Sequence, residues 1–470
     1  MKKNRLIENI KYYFLGTLAI KIMQFIFIPI YSAYISPDDF GYFNMVVSIV
    51  ALIVPLLYQS IWEGVLRFVI SEKDRENEVL STATIYCMIL TIIYLIIYSI
   101  FTTTFKIEYS LFILLMGLSQ ALASYWQFSS RAMKYNDIYT ISTVINSIIT
   151  IVLNIVLIFI MRKGLVGLFI ANTVGNLAMF IILESKLKLL LKLKEYKFNR
   201  TLLTMIISYS FPLCINGLSW WLMSSCNSLV ISLKLGVNQN GIYSMANRFG
   251  TVMSLITSVI NMAWQEEAFR IHGEVGSDMY FNKVFKILYK MIFSSIIMLI
   301  PITYFAYDFM VFGEYKQGVV YVWIIYLIAG FSAFSSHFAS GFLANNDSKI
   351  VLTTTLIGGG FSAIAGYLVA SIYGVYGVVL TSLIGTIITF ILRIMKAKRY
   401  IDVKINYIEF VLLFSICILE DFICRSFINS ITTRMIIFIV TMLILMIQNR
   451  NVIVYIHRMI RGRVKNEIVQ

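Results

Sequence analysis

Three basic residues lie in or beside long apolar stretches, where a positive charge is costly. Lys21 is in the middle of the first stretch, Arg248 near the start of the eighth, and Arg67 at the end of the second. A cation at the centre of a membrane-spanning helix costs about 2.5–3.5 kcal/mol, so such a residue is kept for a reason. These residues predict a cavity through which an anion passes without bond chemistry. For Arg67, four residues after Glu63, a paired interfacial role is the alternative.

Polar and aromatic residues cluster in the seventh apolar stretch. Tryptophan in the middle of a span is away from its usual place at the membrane interface. Sugar rings stack on aromatic faces and their hydroxyls need amide partners, so the cluster predicts a sugar-binding surface. Helix packing through small polar residues is the alternative. The candidates are Asn216, Trp220, Trp221 and Asn227, together with Gln24, three residues after Lys21, and Asn247, beside Arg248.

Other chemistries find little support in the sequence. The five cysteines form no CxxC pair and the three histidines are scattered, so neither a disulfide framework nor a metal site is indicated. Carboxylates deep within the apolar stretches are scarce, and no paired set suggests a proton relay or a sodium site. The sequence predicts a protein without metal or cofactor.

The elements that must position these residues are membrane helices. Of 470 residues, 59% are hydrophobic and 13% charged, against about 25% charged in soluble domains. Mean hydropathy is +0.81. Windows of about 20 apolar residues predict an all-α integral membrane protein with about 14 spans. The predicted spans are 10–34, 40–62, 80–104, 109–129, 138–161, 164–184, 203–233, 240–263, 284–306, 319–342, 350–373, 376–395, 406–424 and 431–448.

The basic residues set the predicted orientation. With the N-terminus inside, 29 of the 39 Lys and Arg residues fall in inner segments and seven in outer ones, while Lys21, Arg248 and Lys290 lie within spans. This bias follows the positive-inside rule and places both termini in the cytoplasm. Because the basic residues alternate with apolar stretches and do not form one soluble face, binding to nucleic acid is excluded.

The most basic inner segment lies between the sixth and seventh spans. Residues 184–200 read ESKLKLLLKLKEYKFNR, which alternates Lys with Leu. The pattern is typical of an amphipathic linker that lies on a leaflet of anionic lipids. A solvated loop that only fixes topology is the alternative.

The two sides of this linker resemble one another. The segment GYFNM beginning at Gly41 aligns with GIYSM beginning at Gly241 at an offset of 200. Further along, Gly164, Gly167 and Gly175 align with Gly374, Gly377 and Gly385 at an offset of 210. An offset of six helices keeps orientation, so the halves are predicted to be parallel repeats, as in transporters that alternate access. The predicted organisation is an N-terminal six-helix lobe over 1–184, a basic cytoplasmic linker over 185–202, a C-terminal six-helix lobe over 203–396, and two extra helices with a basic cytoplasmic tail over 397–470.

Several of these segments resemble a known family. The run 208–270, the N-terminal LGTLAIKIMQFIFIPIYSAYISPDDFGYFNM at 15–45, WEGVLRFV at 62–69 and the glycine hairpins are similar to the polysaccharide transporters. These are Wzx-type oligosaccharide and O-antigen flippases within the multidrug/oligosaccharidyl-lipid/polysaccharide (MOP) exporter superfamily. The likeness spans nearly the whole chain and is weakest after about residue 400. One departure is Asn227-Ser228, where many relatives have Asp-Arg.

The resemblance implies a flippase of the bacterial plasma membrane. Its cargo would be an undecaprenyl-pyrophosphate-linked oligosaccharide that builds O-antigen, capsule or exopolysaccharide, and polymerase and chain-length proteins of the same pathway would be possible partners. The implied fold is two six-helix lobes in a V with two further helices. Lys21, Arg248 and Arg67 match basic positions of the family's motifs, and in related lipid II flippases basic residues of the central cavity meet the pyrophosphate.

Two other functions fit a chain of this kind. A cation-coupled multidrug exporter of the same fold would need buried carboxylates for cationic substrates, whereas this sequence offers buried cations. A membrane glycan polymerase or ligase would need catalytic residues on a substantial outer loop, and the predicted outer loops are short.

Overall fold

The computed structural model describes residues 25–192, 197–271, 276–345, 347–427 and 439. Lys21, Gln24 and the predicted span 431–448 lie outside these residues. We refer to 25–192 as the N-terminal half and to 197–427 as the C-terminal half.

Within the described ranges the chain forms fourteen α-helices. They are α1 (Ile28–Tyr34), α2 (Pro37–Leu57), α3 (Ile61–Ser71), α4 (Glu76–Thr104), α5 (Ser110–Ala132), α6 (Asn136–Asn154), α7 (Gly164–Leu187), α8 (Arg200–Ser224), α9 (Cys226–Leu235), α10 (Val237–Arg270), α11 (Ser277–Met310), α12 (Val319–Ala344), α13 (Ser348–Ala397) and α14 (Tyr407–Ser426). A π-helical turn at Ile155–Ile160 extends α6. Short 3₁₀ turns occupy Lys73–Arg75 and Gly313–Gly318.

The helices confirm a multi-pass membrane protein. In the part of the chain that is described, nine helical stretches are long and apolar enough to cross a membrane. Helix α10, predicted as the span 240–263, is not among them because polar residues lower its hydropathy. Helix α14, predicted as 406–424, is excluded by its charged residues. Both helices are nevertheless 20 residues or longer.

Two predicted spans, the second and the seventh, are interrupted. The second breaks between α2 and α3, where Gln59 and Ser60 both have positive φ. The seventh breaks at Ser225, so that 203–233 is two helices and not one. Spans eleven and twelve are joined without a gap, and the chain turns at Gly374 with φ 60° and ψ −153°. The two breaks within spans fall at short polar runs, Gln59-Ser60 and Ser224-Ser225, which an average over about 20 residues does not reveal. The turn at Gly374 lies between the predicted spans 350–373 and 376–395.

The glycine pairs at offset 210 have matching roles. Gly164 and Gly374 both have positive φ and begin the second helix of a hairpin. Gly175 and Gly385 both lie where the second helix of the hairpin crosses the first. A Cβ added to Gly175 would meet the side chain of Thr150, and a Cβ added to Gly385 would meet the backbone of Gly358. The repeat read from the sequence is therefore present in the backbone.

The pair at offset 200 joins the two halves. A Cβ on Gly41 would collide with the carbonyl oxygen of Val237, and a Cβ on Gly241 with that of Pro37. The first turns of α2 and α10 therefore touch reciprocally, backbone to backbone. Asn240 Nδ2 reinforces the contact by donating to the carbonyl of Gly41 at 2.7 Å. We name this end of the bundle the glycine end.

Other bonds between the halves lie at the glycine end as well. The hydroxyl of Tyr315 donates to the carbonyl of Ile35 at 3.1 Å. Ser32 Oγ donates to the carbonyl of Met310 at 3.1 Å. Asn238 Nδ2 donates to a carboxylate oxygen of Asp38 at 3.0 Å. The glycine end is therefore closed.

Helix α14 is joined to α11 by three polar contacts. Lys290 Nζ lies 2.6 Å from a carboxylate oxygen of Glu409, and the hydroxyl of Tyr289 donates to the same carboxylate at 2.7 Å. About three turns away, the hydroxyl of Tyr304 donates to Asp421 at 2.8 Å. Lys290, one of the cations predicted within a span, therefore has an acidic partner on a later helix.

Gly374 provides a test of the backbone of the repeat. Its φ and ψ fall in a region that only glycine visits readily, so Gly374→Ala is expected to lower the free energy of unfolding by about 1–3 kcal/mol. Gly360 lies in the same helix with open space around its Cα, so Gly360→Ala is the control and should be neutral or slightly stabilising. Thermal unfolding in detergent measures both. Equal stability of the two variants would contradict the strained turn.

Candidate functional site

A polar cavity of about 220 Å³ lies between α2 and α10, next to the glycine end. Four lining residues of α2 and four of the five from α10 lie three, four and seven positions after the first of their set, a spacing that places them on one face of a helix. The two sets are related by the offset of 200: Asn44, Val47, Ser48 and Ala51 from α2, and Ser244, Asn247, Arg248 and Thr251 from α10. Ser224, Ser225, Ser228 and Tyr243 complete this first cavity.

The two faces are related in position but not in chemistry. On α10 all four residues are polar or charged, whereas Val47 and Ala51 leave α2 half apolar. Arg248 is the one charged side chain among the described residues that line the first cavity. The site can therefore attract an anion through Arg248, which belongs to the C-terminal half.

Arg248 is held in place by aromatic rings of the other half. Its guanidinium carbon lies 4.6 Å from the ring centroid of Tyr31 and 5.0 Å from that of Phe40. Cation–π contacts of this length stabilise a partly desolvated guanidinium and fix its position. The ring of Tyr31 is anchored in turn, since its hydroxyl accepts from Asn154 Nδ2 at 2.9 Å.

A second cavity, of about 250 Å³, adjoins the first within the C-terminal half. The two cavities share Ser224, Tyr243, Asn247 and Thr251. The second is also lined by Trp220, Met223, Asn227, Gly250, Ser254, Ile325, Ile328, Ala329, Ser332 and Thr386. None of these described residues is charged. The first cavity therefore has a charged lining residue and the second has none, although the two share a wall.

The two adjacent tryptophans have different roles. Trp220 is 43% exposed and lines the second cavity. Trp221 is 9% exposed, and its Nε1 donates to the carbonyl of Ser48 at 2.8 Å. Ser48 Oγ in turn donates to the carbonyl of Ser225 at 2.8 Å. Trp221 therefore joins the halves, and Trp220 is the tryptophan available to a ligand.

The predicted asparagines are similarly divided. Asn247 is exposed and faces both cavities. Asn227 is buried, donates to the Tyr243 hydroxyl at 3.4 Å, and accepts from Ser382 Oγ at 2.8 Å. Asn216 is half-buried on α8 and is not among the described residues that line the two cavities.

Arg67 lies apart from the two cavities, towards the end opposite to the glycine end. Its guanidinium carbon is 4.3 Å from the ring centroid of Tyr209 on α8. One turn earlier, the backbone N–H of Gly64 donates to Ser210 Oγ at 3.0 Å. Arg67 therefore belongs to a contact between the halves. The positions of Lys21 and Gln24 relative to the cavities are not described.

Sequence reasoning missed the contribution of α2 to the first cavity. Asn44 and Ser48 carry no charge and sit in an ordinary apolar span, so composition gives no signal for them. The repeat did contain a signal for these two residues. At the offset of 200, Ser48 is the counterpart of Arg248 and Asn44 is the counterpart of Ser244. In the described part of the chain no group of three His, Cys, Asp or Glu residues could hold a metal.

Comparison with known proteins identifies the family. The model of the family described as polysaccharide biosynthesis protein matches residues 6–265, more than half of the chain. The chain belongs to the polysaccharide biosynthesis protein family. The match includes α2, α8, α9 and most of α10, which line the first cavity, whereas α12 and α13, which complete the second cavity, lie beyond it. No protein with a curated description matches the chain significantly by sequence.

Solved structures show the fold. The lipid II flippase MurJ in an inward closed conformation aligns with a TM-score of 0.70 at 17% identity, over 94% of this chain and 100% of that one. An inward-facing multidrug resistance MATE transporter of the MOP superfamily gives 0.62 at 15% identity, over 82% and 98%. The Vibrio cholerae MATE transporter VcmN in its bent form gives 0.52 at 15%, over 83% and 97%. The predicted fold is confirmed, since the chain shares it with these flippase and transporter structures.

The division between the tryptophans can be tested by stability. Trp221→Phe removes the N–H that donates to Ser48 and leaves a buried carbonyl without that donor, which is expected to lower the free energy of unfolding by about 1–3 kcal/mol. Trp220→Phe is the matched control and should change stability by less than about 0.5 kcal/mol, because its side chain is partly exposed. Denaturation of both variants in detergent gives the difference. A greater loss for Trp220→Phe would contradict the assignment.

Proposed function

We propose that the protein is a flippase that moves an undecaprenyl-pyrophosphate-linked oligosaccharide across the bacterial plasma membrane for O-antigen, capsule or exopolysaccharide synthesis. The observation that carries the proposal is Arg248, a charge held by aromatic rings in a polar cavity between pseudo-symmetric helices. A guanidinium offers several donors in a plane and is suited to phosphate oxygens. The family's role in polysaccharide biosynthesis supports a glycan as cargo.

The proposed orientation follows from the basic residues. With both termini in the cytoplasm, the glycine end faces outwards, and the cavities lie beneath a closed outer end. Residues 1–184 and 203–396 are the two moving lobes of this proposal, and near the inner end they also touch where Arg67 packs on Tyr209. Opening requires α2 and α10 to separate at the glycine end. Alternating access of this kind is common in transporters built from repeats.

In the proposed transport cycle, the diphosphate binds and the lipid tail stays in the bilayer. Lys21 joins Arg248 at the diphosphate, Arg67 attracts it near the inner mouth, and the glycan follows with Gln24 and Asn247 among its polar contacts. Binding must remain moderate, because an anion held too tightly would not be released on the other side. Neutral hydroxyls and amides make up most of the first cavity, which is consistent with moderate binding.

The linker between the halves supports a partnership with anionic lipids. Glu184 holds its first turn, accepting from the backbone N–H groups of Leu189 and Leu190 at 3.0 and 2.9 Å. Leu189 is buried, whereas Lys186 and Lys188 are exposed. Leu187 and Leu189 thus face the protein, whereas the lysines and Leu191, which is 75% exposed, face outwards. Basic and apolar side chains exposed together suit an anionic membrane surface. Polymerase and chain-length proteins of the pathway remain predicted partners.

Two other functions fit less well. A multidrug exporter for cationic substrates is disfavoured because, among the described residues lining the two cavities, the charge is positive and there is no carboxylate. A membrane polymerase or ligase would need a catalytic outer loop, and the described connections at the glycine end are short, the longest running over 311–318.

Removing the charge tests the flippase directly. Arg248→Gln is expected to weaken diphosphate binding by about 10–100-fold, because a charge-assisted hydrogen bond contributes about 1.5–3 kcal/mol. For Arg248→Gln, the assay is translocation of an undecaprenyl-pyrophosphate-linked oligosaccharide in proteoliposomes. In cells, Lys21→Ala should abolish glycan display at unchanged protein level. Arg399→Gln, which changes an exposed arginine on the C-terminal side of α13, is the control. Wild-type rates for Arg248→Gln would refute the assigned role.

The proposed orientation is tested by labelling a cysteine at position 247. The five native cysteines are buried, so wild-type protein gives a low background. Asn247→Cys is expected to react several-fold faster with a membrane-impermeant maleimide in inside-out vesicles than in right-side-out vesicles. Adding Gly241→Val, whose side chain would collide with Pro37, should shift reactivity towards the outer side. Gly217→Val, with open space at its Cα, serves as the control. Faster labelling of Asn247→Cys from outside would refute the orientation.

A further inference from the structure

We propose that the second cavity is a subsite for the sugar attached directly to the diphosphate, and that it selects an uncharged sugar with an apolar substituent, such as an acetamido sugar. The inference rests on the proposed function, because it assumes a diphosphate at Arg248. It adds a preference for one type of first sugar, which a role in polysaccharide biosynthesis does not by itself define.

The position of the second cavity fits the covalent structure of the cargo. The first sugar is joined to the diphosphate by a single oxygen, so its subsite must adjoin the phosphate site. Asn247 and Arg248 are consecutive residues of α10, and Asn247 lines both cavities. A diphosphate at Arg248 would therefore place the first sugar against Asn247. A compartment of this size takes one ring and not a whole repeat unit.

Trp220 provides the stacking surface. It is partly exposed within the cavity, and Ile325, Ile328 and Ala329 of α12 also line it. Sugar rings present C–H groups on their faces and hydroxyls on their edges, so an aromatic face together with apolar side chains suits them. The aliphatic part of this wall suits a methyl group, which an acetamido or deoxy sugar carries.

The hydroxyls of the cavity are arranged as acceptors. Ser224 Oγ donates to the carbonyl of Trp220 at 2.9 Å, Ser254 Oγ to that of Gly250 at 3.1 Å, and Thr386 Oγ1 to that of Leu383 at 2.8 Å. Because each hydroxyl proton is already engaged, the oxygens offer lone pairs to the hydroxyls of a ligand. The amide of Asn247 adds donors. This combination matches a polyhydroxylated neutral molecule.

Charged sugars are disfavoured by the same lining. None of the described side chains around the second cavity carries a charge. A uronic acid would bring a carboxylate into a compartment with no cation opposite it, and its desolvation would not be offset. The cation at Arg248 is taken by the diphosphate.

Three soluble probes separate the two sites. Farnesyl diphosphate tests the phosphate site, and the same lipid carrying N-acetylglucosamine or glucuronic acid on its diphosphate tests the sugar site. Dissociation constants are measured by calorimetry with the full-length protein in detergent. We expect wild-type protein to bind the N-acetylglucosamine probe about tenfold more tightly than farnesyl diphosphate, and the glucuronic acid probe no more tightly.

Variants distinguish failure of the subsite from failure of the function. Trp220→Ala should remove the tenfold preference for N-acetylglucosamine and leave farnesyl diphosphate binding unchanged, while Trp220→Phe, which keeps an aromatic face, should retain most of the preference. Arg248→Gln should weaken all three probes at least tenfold. If Trp220→Ala affects all probes equally or none, the sugar subsite is refuted and the diphosphate site stands. If Arg248→Gln leaves all three unchanged, or no probe binds, the proposed function fails with it.

Discussion

The contact of two helix backbones at Gly41 and Gly241 is the constraint on which the rest of the molecule depends. Because no side chain separates α2 from α10 there, the carbonyls of Pro37 and Val237 occupy the space that a Cβ would take. Beyond this crossing the two helices enclose the first cavity with one face each. The polar faces, the position of Arg248 and the closed end all follow from a contact that only glycine permits.

The repeat was the part of the architecture most accessible from sequence. Matching glycines at fixed offsets predicted two parallel repeats. The structure supplies the reason for the match, since a turn with positive φ and a helix crossing without a Cβ both require that residue type. The breaks at Ser60 and Ser225 were not predictable from hydropathy, because an average over about 20 residues conceals a run of only a few polar ones. The two tryptophans were also indistinguishable, since adjacent helical residues point about 100° apart and only the packing of α2 decides which is covered.

Arg393 shows that a buried cation alone does not identify an anion site. It is 2% exposed, and its guanidinium donates to the carbonyl of Ser335 at 2.8 Å and to the hydroxyls of Thr354 and Thr355 at 3.1 and 2.8 Å. These neutral acceptors tie α12 to the first part of α13. Arg393 thus has a structural role, as Lys290 does through Glu409. What distinguishes Arg248 is the polar cavity it faces, and that property requires three dimensions to see.

The unequal chemistry of the two faces around the first cavity has an evolutionary consequence. A duplicated scaffold begins with identical halves, yet here α10 carries the recognition groups and α2 carries Val47 and Ala51 at the related positions. Around this cavity, ligand preference can then drift through substitutions in α10, while the face of α2 stays constant. Diversification of cargo and conservation of movement are thereby assigned to different stretches of the same gene.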